Sequence, residues 1–324
     1  MLERINENLF LLKITLPNSP LKWLNSYIIK GNKDQRSLLI DTGYNLQKCR
    51  DLLFEGINEL SLVPQNTDVL LTHRHSDHTG NASFLEKMGF RIMMAERDFS
   101  LMDQSLWAER KKWAIKEGVS EALFNEMFIK NPGRIYAPEK FSPHFVADGD
   151  TLDYGGRSFT VVSTPGHSPG HICLYEDKTQ ILISGDHILY DITPNICTCG
   201  PGTDALGDYL DSLEKVSGYK VTAALTAHRE FGEKNFYKRV DEIRIHHQKR
   251  LEETIAIIKK FPGSDANAIA SRMTWNIKSK TWDDFPPGQK WFAISETIAH
   301  LDHLCAVHEI KKEIAKSGCY GYYM

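Results

Sequence analysis

Three histidines and an aspartate lie within six consecutive positions of this chain. The segment His73-Arg74-His75-Ser76-Asp77-His78 directly follows the apolar run Val69–Leu71, a pattern typical of a buried strand that ends in a loop. Imidazole nitrogens and carboxylate oxygens are ligands that suit zinc and, less selectively, iron or manganese. A surface loop seldom collects so many of these groups by accident, so the segment predicts a metal site at a strand end.

The chain is long enough to enclose such a site. It has 324 residues, of which 41% are hydrophobic and 25% charged, and these fractions are ordinary for a soluble globular protein. The formal net charge of -3 gives no general attraction to nucleic acid, although a local basic groove would be compatible with it.

The N-terminal segment and the cysteines favour a cytoplasmic protein. Charged and polar residues interrupt the apolar ones in residues 1–12, and nowhere do about eighteen apolar residues run together, so we expect neither export nor a membrane span. The six cysteines are scattered, and we expect them to be reduced. Cys197 and Cys199 lack the two-residue spacer of a zinc knuckle, so we interpret them as two thiols in a loop near Asp186, without an assigned role.

Strands and helices alternate through the first two thirds of the chain. Runs rich in β-branched and apolar residues predict eight strands: Ser26–Lys30, Ser37–Asp41, Asp68–Thr72, Arg91–Ala95, Ser158–Thr164, Ile172–Tyr175, Ile181–Ser184 and Ala223–Thr226. Helical patterns lie between several of them: Leu46–Gly56, Asn81–Met88 and Thr203–Val216. This order indicates an α/β layered fold.

Two further regions are predicted to be mainly helical. Residues 98–140 carry aromatic residues at helical spacing, which indicates a helical insert. The pattern then changes to a charged amphipathic helix from Lys234 to Lys260 and a second helix from Phe292 to Ala315. We therefore predict a first domain of residues 1–232 containing the insert and a helical module of residues 233–324.

Other strand ends carry further candidate ligands. These side chains are His167 and His171 in Thr164–His171, Asp186 and His187 in Ser184–His187, and His228 and Arg229 in Thr226–Arg229. Asp41 ends an earlier predicted strand, where it could orient a metal ligand from outside the ligand shell, cap the following helix, or do both. Strand ends that meet at one sheet edge would bring these groups together.

The ordered set of these motifs resembles the metallo-β-lactamase superfamily of hydrolases over residues 1–232. The resemblance implies a four-layer αβ/βα sandwich that holds two divalent metal ions, zinc or, as in some relatives, iron or manganese. It implies the following ligands: His73, His75 and His167 for the first metal, Asp77, His78 and His228 for the second, and Asp186 bridging both. The remaining candidates Asp41, His171, His187 and Arg229 would then lie outside the ligands or in the substrate pocket.

The implied chemistry is hydrolysis without a serine or cysteine nucleophile. Two metals lower the pKa of a shared water, so a bridging hydroxide can attack a carbonyl carbon or a phosphorus near neutral pH. Either Asp77, the candidate catalytic residue, or a metal-bound water is expected to handle the proton for the leaving group. The Thr164–His171 segment is also similar to that of glyoxalase II thioesterases, so a small ester or thioester is the preferred substrate.

Two alternatives remain open. Residues 294–304 look like a helix from the winged-helix tail of the β-lactamase-like protein 2 group, some of which cleave single-stranded RNA. An endoribonuclease or other phosphodiesterase is therefore second, with Lys111, Lys112 and Lys116 as candidate contacts to nucleic acid. A lactonase, whose usual tyrosine is replaced here by Leu189, or a non-catalytic metal-bearing regulatory protein is third. The preferred partner is a small molecule, no membrane partner is expected, and the oligomeric state is open, with a homodimer as one option.

Overall fold

The computed structural model describes residues 2–198, 200–231, 234–277, 279 and 281–324. Within these ranges the strands are β1 (Leu2–Arg4), β2 (Leu9–Thr15), β3 (Trp23–Ile29), β4 (Ser37–Ile40), β5 (Thr67–Leu70), β6 (Arg91–Met94), β7 (His144–Phe145), β8 (Thr151–Tyr154), β9 (Arg157–Ser163), β10 (Ile172–Glu176), β11 (Ile181–Gly185), β12 (Ala223–Thr226), β13 (Lys311–Ile314) and β14 (Tyr320–Tyr323). The α-helices are α1 (Gln47–Glu59), α2 (Ser76–Thr79), α3 (Ala82–Lys87), α4 (Glu96–Ser100), α5 (Trp107–Lys116), α6 (Glu121–Ile129), α7 (Pro132–Ile135), α8 (Ala205–Ser217), α9 (Phe236–Lys260), α10 (Ala266–Ala270) and α11 (Pro287–Ala306).

Two sheets form the centre of the molecule. Strands β1 to β7 follow one another in a seven-stranded sheet, and the order in the five-stranded sheet is β12-β11-β10-β9-β8. The inner faces of both sheets share one apolar core, to which Tyr27 and Leu38 contribute from the first sheet and Phe159 and Leu174 from the second. Residues alternate between the two faces of a strand, so the neighbouring Val162 and Cys173 lie in the core on the outer side of the second sheet.

Helices cover the outer faces of both sheets. α1 and α3 pack on the first sheet through a separate apolar core that includes Leu53 and Leu85. α8, α9 and α11 pack over the second sheet, where Leu213, Ile243 and Ile298 are buried. The result is the helix-sheet-sheet-helix sandwich that the sequence predicts.

The parallel strands determine where the candidate site lies. β4, β5 and β6 are mutually parallel, and β11 is parallel to β12. Their carboxyl ends therefore lie at one edge of each sheet. An isolated bridge between Leu24 and His228 connects the two sheets at this edge, so loops that leave different strands meet there.

All eight strands predicted from the sequence are present, with ends displaced by at most a few residues. The short strands β1, β7 and β8 and the longer β2 were missed; β7 and β8 are largely exposed and lack the apolar runs on which the prediction depends. The predicted helix cap at Asp41 is wrong, because α1 begins six residues later with Leu46 as its N-cap.

The insert and the last third are helical, with one correction. Residues 98–140 contain α5, α6 and α7 and the end of α4, and α9 buries the apolar face that its periodicity predicts. The helix predicted to run to Ala315 ends at Ala306, and the antiparallel hairpin of β13 and β14 follows it. No helix within the described ranges is both long enough and apolar enough to span a bilayer.

Candidate metal centre

Seven side chains from four separate segments converge at the shared sheet edge. The loop after β5 carries His73 and His75, and the short helix α2 carries Asp77 and His78. The other three lie in loops that follow β9, β11 and β12: His167, Asp186 and His228. Among the described residues these side chains form three groups whose ligand atoms lie within 4.8 Å of one another.

The first group consists of three imidazoles. His75 Nδ1 lies 3.0 Å from His73 Nε2 and 3.0 Å from His167 Nε2. Burial holds the pKa values of all three histidines below their ordinary value, and neighbouring imidazoles lower those of His73 and His75 further. The rings are therefore neutral, which is the form that binds a metal.

The second group combines two imidazoles with a carboxylate. His228 Nε2 lies 3.3 Å from His78 Nε2 and 3.4 Å from Asp77 Oδ2. Burial favours neutral Asp77, but the adjacent His78 and His228 outweigh it and hold the pKa of this carboxyl below its usual range. Asp77 is therefore ionised throughout the working range of pH, which is the form in which a carboxylate can bind a metal ion.

The carboxylate of Asp186 lies between the first two groups described, and it forms the third group with His73 and His78. Its Oδ2 is 3.5 Å from His167 Nε2, whereas its Oδ1 is 3.4 Å from His228 Nε2 and 3.7 Å from His78 Nε2. Oδ1 is buried and has no hydrogen-bond partner among the described residues. One carboxylate oxygen of Asp186 thus faces the first group, and the other faces the second.

Hydrogen bonds at the far side of the rings determine which nitrogen faces the centre. His167 Nδ1 donates to the carbonyl of Asn195 at 2.8 Å, and His228 Nδ1 donates to that of Trp23 at 2.9 Å. Because Nδ1 holds the proton, each Nε2 presents a lone pair. Convergent lone pairs and buried carboxylates repel one another unless a cation lies between them, so this donor set fits metal ions.

Asp41 contacts His78 from outside the three groups. Its Oδ2 accepts hydrogen bonds of 2.8 Å from His78 Nδ1 and from the hydroxyl of Thr72, and its Oδ1 accepts one from the Thr72 amide. Burial favours the neutral His78 ring, yet the carboxylates of Asp41, Asp186 and Asp77 raise its pKa to about 10. The negative potential that raises this pKa also attracts a metal cation.

His171 supports Asp186 through the backbone. Its Nε2 accepts a hydrogen bond of 3.1 Å from the Asp186 amide, and its Nδ1 lies 2.8 Å from the Thr164 hydroxyl. Gly185 permits this approach, because it has φ +49 and a Cβ there would lie 2.6 Å from His171 Nε2. His171 therefore fixes the backbone of Asp186.

His187 and Arg229 lie farther from the ligand atoms. His187 is fully buried, with its ring centroid 5.2 Å from that of Tyr209 and 6.1 Å from that of His171. Burial lowers its pKa to about 3. The Arg229 guanidinium donates to the carbonyl of Pro20 in the turn between β2 and β3. His187 thus lies beside His171, and Arg229 contacts the turn between β2 and β3.

Asp98, which the sequence analysis missed, joins two ligand loops. It is buried on α4, and its carboxylate accepts hydrogen bonds from the Arg74 amide at 2.8 Å, the Ser168 hydroxyl at 2.6 Å and the Gly170 amide at 2.6 Å. These donors flank His73, His75 and His167 in the chain. One feature of the sequence could have pointed to Asp98. It lies three residues beyond the predicted strand Arg91–Ala95, much as Asp41 lies at the end of an earlier predicted strand.

Asn195 is a second missed residue, and it connects the centre to the last third of the chain. Its carbonyl accepts from His167, while its side-chain Nδ2 donates to Glu296 Oε2 of α11 at 2.9 Å. Its Oδ1 contacts Cys197 Sγ. Cys199, the other cysteine of the predicted pair, lies outside the described residues. No sequence signal pointed to Asn195, because its role depends on a contact across 101 residues.

The sequence profile of the metallo-beta-lactamase superfamily matches residues 24–228. The chain is 26% identical to the beta-lactamase-like protein 2 homolog of Caenorhabditis elegans over 88% of this chain and 79% of that protein. It is 29% identical to the acyl-coenzyme A thioesterase MBLAC2 of Gallus gallus over 52% of this chain and 58% of the relative. A crystal structure of a metallo-beta-lactamase family protein from Thermus thermophilus is similar, with a TM-score of 0.77 and 26% identity over 99% of both chains.

Proposed function

The chain belongs to the metallo-β-lactamase superfamily, and from this premise we propose that it is a dinuclear metal-dependent thioester hydrolase. The observation that carries the proposal is the position of Asp186 between two histidine groups. A carboxylate with one oxygen toward each group supports a pair of cations more than a single ion. The convergent Nε2 atoms support zinc as the native metal, with iron or manganese as the alternatives.

The seven residues divide between two proposed metal positions. His73, His75 and His167 would hold the first ion, Asp77, His78 and His228 would hold the second, and Asp186 would contact both. Such ions, when bound, supply a water that ionises near neutral pH and polarise the carbonyl that it attacks.

The protein's own groups hold and orient these ligands. Asp77 is 7% exposed and ionised, so its buried carboxylate could accept a proton from the attacking water and pass it to the leaving group. Asp41, Asn195 and His171 fix the rings and the Asp186 backbone, which keeps the ligand atoms in place. Asp98 holds the two ligand loops together.

A thioester suits this site for a chemical reason. A thiol ionises with a pKa of about 8.5, so a thiolate leaves without full protonation. The site therefore needs only one weak proton carrier, such as Asp77. The relative from Gallus gallus is named an acyl-coenzyme A thioesterase, which makes acyl-coenzyme A the first substrate to test. The chain matches little more than half of that relative's length, so its activity is a proposal for this protein.

A substrate panel tests the proposal. Purified protein with measured metal content would receive acyl-coenzyme A, acyl N-acetylcysteamine, a lactone, a phosphodiester and single-stranded RNA, each before and after chelation. We expect release of free thiol from the thioesters, loss of this activity with the metal, and its return on addition of Zn²⁺. RNA cleavage without thioester turnover, or thioester turnover by metal-free protein, would overturn the proposal.

A further inference from the structure

A basic cavity lies between the insert and the C-terminal hairpin. Its volume is about 490 Å³, which is in the range of small-molecule pockets. α5 forms one wall with Arg110, Lys112 and Lys116; Gly200 and Tyr320 contribute from two other segments. None of these residues belongs to the metal centre, so the cavity is a separate feature.

The charge of the wall favours an anion. Three cationic side chains line the cavity together with a single carboxylate, that of Glu109. Lys112 pairs with Glu109 at 2.8 Å, but both side chains are 71% exposed, and such surface pairs contribute little. Lys112 can therefore exchange this partner for a bound phosphate. Lys116 Nζ lies 5.9 Å from the ring centroid of Tyr320, which places a cation beside an aromatic face.

Trp113 also belongs to the wall of the cavity. Trp113 is 9% exposed and lines the cavity, and its indole Nε1 is buried without a hydrogen-bond partner among the described residues. Buried donors are almost always paired. This nitrogen lies behind the surface of the wall, so the cations alone favour an anion in the cavity.

Buried contacts fix the two sides of the cavity relative to each other. Lys312 of β13 donates to Glu117 Oε1 at 2.6 Å, just beyond the end of α5, and Tyr322 of β14 donates to Glu117 Oε2 at 2.8 Å. Glu117 itself is fully buried. The insert and the hairpin thus form preorganised walls, which lowers the entropic cost of holding a ligand.

The cavity is within reach of the metal centre along one loop. Asn195 accepts a hydrogen bond from His167, and Gly200 of the cavity wall follows five residues later. Five extended residues span at most about 18 Å. Asn195 and Gly200 are therefore close enough in space for a ligand with an anionic end and a reactive end on a flexible arm to match their separation.

On the basis of the proposed thioesterase function, we propose that this cavity binds the phosphorylated nucleotide of coenzyme A while the acyl-thioester end lies at the metal centre. Lys112 and Lys116 contact phosphate oxygens. The partly enclosed volume suits a nucleotide better than the surface of a carrier protein. The subsite therefore determines which thioester carrier the enzyme accepts.

Paired variants and paired substrates test this subsite. Lys112→Ala/Lys116→Ala removes two wall cations, and Lys111→Ala is the matched control, because Lys111 pairs with Glu121 at 2.6 Å and is absent from the wall. Each protein would be assayed with acyl-coenzyme A and with the same acyl group on N-acetylcysteamine, which has no nucleotide. Binding of adenosine 3′,5′-bisphosphate would be measured separately by calorimetry.

We expect the double variant to show a rise of about tenfold or more in KM for acyl-coenzyme A, with kcat unchanged. KM for the cysteamine thioester should stay the same, and adenosine 3′,5′-bisphosphate should bind the wild type and Lys111→Ala but not the double variant. Equal changes for both substrates, or unchanged KM and bisphosphate binding, would overturn the subsite.

Turnover of carrier-protein thioesters but not of acyl-coenzyme A would also overturn the subsite and would leave the proposed function intact. Absence of all thioester turnover by the wild type would instead contradict the proposed function, and bisphosphate binding would still report on the cavity.

Discussion

The carboxylate of Asp41 accepts a hydrogen bond of 2.8 Å from His78 Nδ1, and both side chains are buried. Asp41 holds this position at φ +62, a backbone conformation that aspartate and asparagine tolerate better than most residues. The bond fixes the ring so that Nε2 faces Asp186 and His228. The strained backbone at this strand end therefore places a charge directly behind a candidate ligand.

Replacing Asp41 by asparagine should weaken metal binding. Asparagine has nearly the same shape and tolerates the backbone conformation, so Asp41→Asn removes mainly the charge behind His78. We expect metal affinity to fall by about 10- to 100-fold. Competition with a chromophoric chelator measures the affinity, and Asp34→Asn on the exposed surface is the control. Unchanged affinity would show that Asp41 does not tune the ligand.

Loss of a ligand should remove metal without unfolding the chain. Asp186→Asn and His75→Ala change groups that contact other candidate ligands rather than the apolar cores. We expect turnover to be abolished in both variants and metal content to fall, while the circular dichroism spectrum stays close to that of the wild type. Metal analysis and rate measurements on the same samples check this. Full activity in an Asp186→Asn protein that retains one ion would contradict the two-ion mechanism.

Asp98→Ala should destabilise the chain even without metal. The substitution leaves three hydrogen-bond donors in the ligand loops without their acceptor, and each unpaired buried donor costs roughly 1–3 kcal/mol. We expect the free energy of unfolding in the presence of chelator to fall by about 3 kcal/mol or more, as measured by urea denaturation. The exposed Asp153, changed to alanine, serves as the comparison. Equal stability of the two variants would argue against a structural role for Asp98.

Glu296 should make stability depend on pH. Burial raises its pKa from 4.5 to about 7, although Arg250 and Asn195 act in the opposite direction. The folded state thus holds this proton to higher pH than the unfolded state, so the related stabilisation is complete below about pH 4.5 and disappears as the pH rises through about 7. The change is at most on the order of 3 kcal/mol.

Glu296→Gln should remove this contribution, because glutamine does not titrate and its oxygen can still accept from Asn195. Urea denaturation at several pH values, with chelator present, would compare it with the wild type and with Glu309→Gln on the surface. We expect the wild type and Glu309→Gln to lose stability relative to Glu296→Gln between about pH 4.5 and about pH 7. Parallel pH profiles for all three proteins would refute the assignment.

Local sequence determined much of the sandwich and the candidate ligands. A strand that is buried on both faces needs a continuous apolar run, so β5 and β11 could be recognised without their neighbours. The ligands follow such runs within a few residues, as His73 follows β5 and Asp186 follows β11. The motifs at the strand ends could therefore be recognised as candidates, whereas the choice of seven ligands among them came from the resemblance of their order to the metallo-β-lactamase superfamily.

Only the tertiary structure decided what supports and surrounds those side chains. Asp98 bonds to Ser168 across 70 residues, Asn195 to Glu296 across 101, and Lys312 to Glu117 across 195. These contacts leave no periodic pattern in the chain, because each depends on how separate elements pack. The basic cavity also depends on how separate elements pack. Lys112 and Lys116 line one wall, whereas the adjacent Lys111 pairs with Glu121 on the surface. The packing of α5 beside the hairpin decides which face of the helix lines the cavity.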